Sequence, residues 1–406
     1  MVNTSIPYIV PLVSSLVSQP TSNHDKITSR DYYHTNRASL CHEGPMPAIT
    51  VQAVTEYLQS LYAKPVLLIS MTGHGAQEEG DNLKGFGYGS PLFLEYNVGS
   101  ERRKAVLETL APSSYGHDHF SDRAQAILWE HSAFNSLPRH VRSIDSGAFL
   151  DSGRIISTGR AQEFFLLSEF VSGSGYFKDL ERMRDGEIAA EADFQRAAAL
   201  SDYLVEIHAL KRDAPALYTR RIRDLLGHGE CIMGLIDNYP EKFEFIDSRL
   251  LKRIETACAE WRWRIRDRCR RLCRVHGDFH PWNILFREGT DFTVLDRSRG
   301  EWGEPADDTA TMTINYLFFS LQRSGRLEGD FEKMFRLFWD NYLERTGDRE
   351  MLEVIAPFYA LRGLVIASPV WYPHLSTAVR RSIFHFIENV LGGDRFDPGD
   401  VDRYLI

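Results

Sequence analysis

Cysteine is scarce in this chain: five in 406 residues, Cys41, Cys231, Cys258, Cys269 and Cys273, with no CxxC pair and no Cys/His spacing of a zinc site. That excludes a disulfide-stapled module and predicts reduced thiols in a cytoplasm. Apolar runs of membrane length are missing too. Residues 6–17 are apolar but contain Pro7 and Pro11, lack a basic start and fall short of the roughly 20 residues that cross a bilayer. No membrane partner is expected. Positive charge is outweighed, with 47 Lys and Arg against 56 Asp and Glu and a net charge of −9, so no broad attraction to nucleic acid is expected either. There is no internal repeat and no low-complexity tract. The remaining composition, 43% hydrophobic and 25% charged, is that of a globular chain long enough to bury two cores.

Residues 1–47 are rich in Ser, Thr, Asn, His and Pro without a sustained period and read as an irregular extension. Order begins near Ile49. Val51, Val54, Leu58 and Leu61 recur at helical spacing, and strands are predicted over 65–69, 92–98 and 103–110. A helix over 122–134 follows, with Ser121 or Asp122 as its cap, and then strands over 141–149 and 163–170. Past this point the pattern turns helical: 192–210, then 248–274, then 312–321, 331–342, 351–366 and 379–391. In the basic helix 248–274, Leu251, Ile254, Trp261 and Ile265 face inward, and its Lys and Arg residues form a solvated face. Residues 218–239, with Arg220, Arg221, Arg223 and the run GHGECIMG, read as an insertion between helices. Strands first and helices after give an α+β chain, divided into residues 48–171 and 172–406.

The chain is organised around residues 275–308, VHGDFHPWNILFREGTDFTVLDRSRGEWGEPADD. The apolar runs 284–286 and 292–295, joined by a turn containing Gly289, predict a β-hairpin with Asn283 and Asp296 at its open end. A loop Asp, Asp278, then stands near two oxygen donors. That set suits a hydroxyl activated beside a Mg²⁺-bound nucleotide and points to phosphoryl transfer.

His276, Gly277, Asp278, His280 and Asn283 resemble the catalytic loop of the aminoglycoside phosphotransferase and choline kinase-like small-molecule kinases. The resemblance covers roughly residues 48 to 391. It implies a two-lobed protein-kinase-like fold, a small mainly antiparallel β lobe at 48–171 that binds ATP or GTP, and a helical lobe at 172–406 with the catalytic loop at 276–283 and the metal motif at 296–308. By the same resemblance Asp278 is the catalytic base or orienting residue, Asn283 and Asp296 hold Mg²⁺, and Asp308 ties the loop to the helical lobe. Arg299 flanks that site and is expected to stabilise phosphoryl charge or grip an anionic substrate; Arg297 serves the same purpose or anchors its loop to Glu301 or Glu304. Gly85, Gly87 and Gly89 resemble the loop that covers the nucleotide, where a hairpin turn is the alternative.

The family's third strand carries a phosphate-binding Lys, and Glu108 stands at that register. Lys104, on the same face, or Lys84, at the entrance to the glycine loop, is the candidate substitute. Glu130 resembles the Glu that pairs with the strand Lys. Residues 168–171, with Ser168 and Phe170, resemble the hinge whose backbone pairs with the base. His208 reads as a packed structural histidine. No long activation segment is present, which favours a small hydroxylated acceptor. The altered phosphate contacts leave AMP transfer and a nucleotide-binding pseudokinase open as alternatives, and the oligomeric state is unspecified.

Overall fold

A computed structural model describes residues 48–73, 91–113 and 115–406, so the amino-terminal extension lies outside it. The chain divides into two compact units between Phe165 and Leu166.

The first unit begins with helix α1, Val51–Tyr62, whose N-cap Thr50 accepts the Ala53 N–H at 3.1 Å. Such a cap is worth about 1 kcal/mol. Strands β1 (Val66–Gly73), β2 (Leu92–Val98) and β3 (Glu101–Leu107) form an antiparallel sheet in that order, with a register shift between Leu68 and Ser70. Alternation puts Leu94, Tyr96 and Val98 on one face, where they bury against Val54 and Leu58 of α1.

Helix α2 spans Phe120–Phe134. Its cap is His119, which neither expected residue supplies: the His119 N–H donates to Asp122 Oδ2 at 2.8 Å, and its ring Nδ1 accepts the Ser121 N–H at 3.3 Å. A ring nitrogen here replaces the usual hydroxyl or carboxylate acceptor. Short strands β4 (Gly147–Phe149) and β5 (Ile155–Ser157) then pair. The turn between them, with Gly153 at φ +80° donating its N–H to the Leu150 carbonyl at 2.9 Å, draws the second strand back in sequence. The strand expected over 163–170 is not formed. That segment has no sheet partner among the described residues, and Phe164, Phe165, Leu166, Leu167 and Phe170 are 58% to 91% exposed. Four consecutive apolar residues carry no alternation that would choose a buried face.

In the second unit β6 (Ser174–Gly175) leads into α3 (Phe177–Arg184), α4 (Glu191–His208), α5 (Pro215–Gly227) and α6 (Ile232–Asp237). Residues 218–239, expected as an insertion, are therefore mostly helical. A small pair, β7 (Lys242–Phe243) and β8 (Ile246–Asp247), precedes α7 (Ser248–Ile265), which buries Leu251, Ile254, Trp261 and Ile265 as its period requires.

Strand β9 (Cys273–Arg274) opens the central stretch, and β10 (Ile284–Phe286) and β11 (Phe292–Val294) form its hairpin, Ile284 opposite Val294. Gly289 supplies the positive φ of the turn. Strand β6 pairs with the other edge of β10, and β12 (Trp302–Gly303) pairs back onto β9. The central loop is thus closed at its neck. Helices α8 (Ala306–Ser324), α9 (Gly329–Thr346), α10 (Met351–Val354), α11 (Ala356–Ala367) and α12 (Thr377–Gly392) complete the unit around one apolar core. The class is α+β, with antiparallel strands dominating the first unit's sheet and helices the second unit. No helix of the described residues is long and apolar enough to cross a membrane.

Candidate active site

The chain leaves β9 at Val275 and enters the loop through Gly277, whose φ of +87° strains any side-chain-bearing residue. Asp308, at the start of α8, fixes this turn: its carboxylate accepts the His276 and Gly277 N–H groups, each at 2.7 Å. His208, the last residue of α4, contacts the same carboxylate through Nε2 at 3.1 Å, and its Nδ1 lies 2.8 Å from the Tyr342 hydroxyl. The packed histidine and the loop-tying aspartate are one buried unit. Burial pushes the Asp308 carboxyl up, but the His208 bond and charge outweigh it and hold it below the usual carboxylate range.

A folded value below the unfolded one stabilises the protein above the ordinary value of about 4 and is lost as pH falls. Asp308→Ala strands two backbone donors and His208. It is expected to cost about 3 to 5 kcal/mol, read as a fall in denaturation midpoint at unchanged slope.

Asp278 follows the turn. Its Oδ1 meets Arg362 Nη1 at 2.5 Å and Arg299 Nη2 at 3.7 Å, and its Oδ2 meets His280 Nε2 at 3.5 Å. Burial raises the carboxyl, yet Arg362, then His280 and Arg299, hold it well below the ordinary range. His276 is pushed down by burial, so its neutral ring accepts the Asp278 N–H at Nδ1, 3.2 Å away.

Asn283 donates through Nδ2 to the Asp278 carbonyl at 3.1 Å, leaving its side-chain oxygen without a hydrogen bond among the described residues. The open end of the hairpin is closed by the Leu295 N–H on the Asn283 carbonyl at 2.8 Å, and Asp296 is the next residue. Asp296 is exposed, has φ +50°, and its carboxylate has no partner among the described residues. Asp tolerates that left-handed backbone better than most side chains.

The two arginines separate. Arg297 donates to the Val275 carbonyl at 3.0 and 2.6 Å and to the Glu301 carbonyl at 3.1 Å, which makes it a loop anchor. Arg299 stays with Asp278, donating to the Gly277 carbonyl at 3.3 Å and lying 3.8 Å from Glu230. Arg362 escaped the sequence reading. It is the one charged residue in the helix APFYALRGLVIA and is 5% exposed, a signal that a lone buried Arg has a buried partner. Asp307 is that second partner, with Oδ1 2.9 Å from Arg362 Nη2.

Lys84, Gly85, Gly87 and Gly89 lie outside the described residues. Lys104 lies 3.6 Å from Glu95 with its side chain 79% exposed. Glu130 is exposed on α2, its carboxyl raised by partial burial and then by the like charge of Glu108. Ser168 and Phe170 are exposed in the segment without regular structure.

Residues 98–333 match a sequence model of the phosphotransferase enzyme family. No curated protein matches the chain. Among solved structures it is similar to glucosamine kinase in crystal form A, at 20% identity and TM-score 0.35, over 51% of this chain and 56% of that one. It is also similar to amicoumacin kinase hAmiN in complex with AMP-PNP, Ca²⁺ and Ami, at 13% identity and TM-score 0.37, over 82% and 91%. Choline kinase from Cryptosporidium parvum Iowa II matches at 12% identity and TM-score 0.29, over 83% and 85%. The chain spans little more than half the length of the first glucosamine kinase chains that it matches.

Proposed function

This chain belongs to the phosphotransferase enzyme family, with its protein-kinase-like fold, and from that premise we propose that it transfers the γ-phosphoryl group of ATP or GTP to a hydroxyl of a small molecule. The observation that carries the reading is one ionised carboxylate, Asp278, set on a braced loop, with two unclaimed oxygen donors, Asn283 and Asp296, following it in the chain at the open end of the hairpin.

Those two oxygens fit a hard cation. Mg²⁺ takes one or two protein oxygens and completes its shell with phosphates and water. When bound, Mg²⁺ neutralises phosphate charge. The chain's own residues do the rest. Asp278 orients the acceptor hydroxyl and receives its proton late, and Arg299, lying 3.7 Å from that carboxylate, stabilises charge on the group in transfer.

Residues 48–171 would hold the nucleotide, with Gly85, Gly87, Gly89 and Lys84 over the phosphates and the backbone near Ser168 and Phe170 on the base. Recognition by backbone accepts either purine. A second reading, AMP transfer with the nucleotide reversed, is favoured by one observation: the acidic Glu108 stands where the family's third strand carries a phosphate-binding Lys. The cytoplasm supplies both nucleotide and metabolite, and we place the protein there.

The test is mass spectrometry of a library of hydroxylated metabolites incubated with ATP and Mg²⁺. Phosphoryl transfer adds about 80 Da to the acceptor, whereas AMP transfer adds about 329 Da. A gain of the second mass overturns the main reading, and no gain across the library leaves a nucleotide-binding pseudokinase.

A further inference from the structure

Arg362 reaches the catalytic loop from α11, 84 residues along the chain from Asp278. Its neighbours Leu361 and Leu364 are buried, and every other side chain of the helix is uncharged. A guanidinium in such surroundings costs several kcal/mol of desolvation unless carboxylates and carbonyls take its donors. The donors it commits are few and directed. Nη1 takes Asp278 Oδ1 at 2.5 Å; Nη2 takes the Gly277 carbonyl at 3.1 Å and Asp307 Oδ1 at 2.9 Å; Nε has no hydrogen-bond partner. All three contacts fall on the catalytic turn or on the first turn of α8, next to the Asp308 that holds the same turn from its other side.

We propose that Arg362 is a positioning residue for Asp278, an inference that rests on the phosphotransfer reading above. With Oδ1 engaged by the guanidinium, the carboxylate is held in one rotamer. Oδ2, which lies 3.5 Å from the His280 ring Nε2, is the oxygen presented to an acceptor hydroxyl. The planar fork of Arg suits this task, because one side chain spans the carboxylate and the carbonyl of the residue before it. A Lys would reach one of the two. The positive charge of Arg362 also keeps Asp278 ionised against the opposing effect of burial, so that the hydrogen bond it offers the hydroxyl is the strong, charge-assisted kind.

A double-mutant cycle tests this, with Arg362→Gln and Arg362→Lys made in the parent and Arg362→Gln in the Asp278→Ala variant. Each is measured for kcat on the acceptor found in the library screen and for ATP affinity by titration. A misplaced reacting group costs about 10²-fold, so Arg362→Gln is expected to lose about that in kcat with ATP affinity unchanged within about 2-fold. Arg362→Lys should recover part of the loss. On the Asp278→Ala background, Arg362→Gln should change kcat by less than about 2-fold, because the group it positions is gone. Equal losses on both backgrounds, or kcat and ATP affinity falling together, would overturn the inference and leave Arg362 a structural bridge. A parent that phosphorylates nothing overturns the function reading itself, which the parent arm shows before any variant is made.

Discussion

Asp278→Ala is expected to lower kcat by about 10² to 10⁴-fold, the usual contribution of a positioned acid–base group, with the KM for ATP nearly unchanged. The split follows from where the carboxylate acts. In the loose transition state of phosphoryl transfer the acceptor proton leaves late, so a group that orients the hydroxyl contributes to the transition state and little to nucleotide binding. The electrostatics agree. Burial would raise the Asp278 carboxyl, but Arg362, His280 and Arg299 together hold it well below the ordinary range, which makes it a weak base and a firm hydrogen-bond acceptor.

The fold should survive the change, since Arg362 retains Asp307 at 2.9 Å and the Gly277 carbonyl at 3.1 Å and is not left as an unpaired buried charge. Steady-state kinetics with the identified acceptor decide the matter. Turnover equal to the parent's would remove Asp278 from the reaction. In the AMP-transfer reading the loss would appear in ATP binding as well.

What the sequence revealed and what it hid divide by range. The hairpin was legible because two short apolar runs and a glycine turn lie within twelve residues, and the closing bond from Leu295 to Asn283 follows from that local pattern. The long helices of the second unit were legible because a 3.6-residue period repeats over each of them. Pairings between distant residues leave no such trace. Arg362 and Asp278 are 84 positions apart, and His208 and Asp308 are 100 apart. The basic run over 253–268 is explained the same way: Arg253 meets Glu388, Arg264 meets Asp394, and Arg268, just past α7, meets Glu350, all carboxylates from later in the chain. The expected strand over 163–170 failed because a solid apolar run fits a buried strand by composition alone, while pairing depends on a neighbour that composition does not name.

The remaining large effect is expected at Asp296. Asp296→Asn should reduce turnover by at least about 10³-fold, since the charge stabilisation a metal provides is worth several kcal/mol and each 1.4 kcal/mol or so is tenfold. The substitution is well suited to isolating that effect. The residue is exposed, its carboxylate has no partner among the described residues, and its φ of +50° is one that Asn adopts as readily as Asp. No buried volume, ion pair or favourable backbone conformation is lost, so the melting temperature should stay near the parent's. Nucleotide affinity should then become independent of Mg²⁺, which a titration with and without the metal reads directly, apart from any activity. Asn283 alone offers one neutral oxygen, too little to hold a divalent cation that needs about six. If the variant keeps Mg²⁺-dependent turnover, the metal is held elsewhere, and the open end of the hairpin is only a loop.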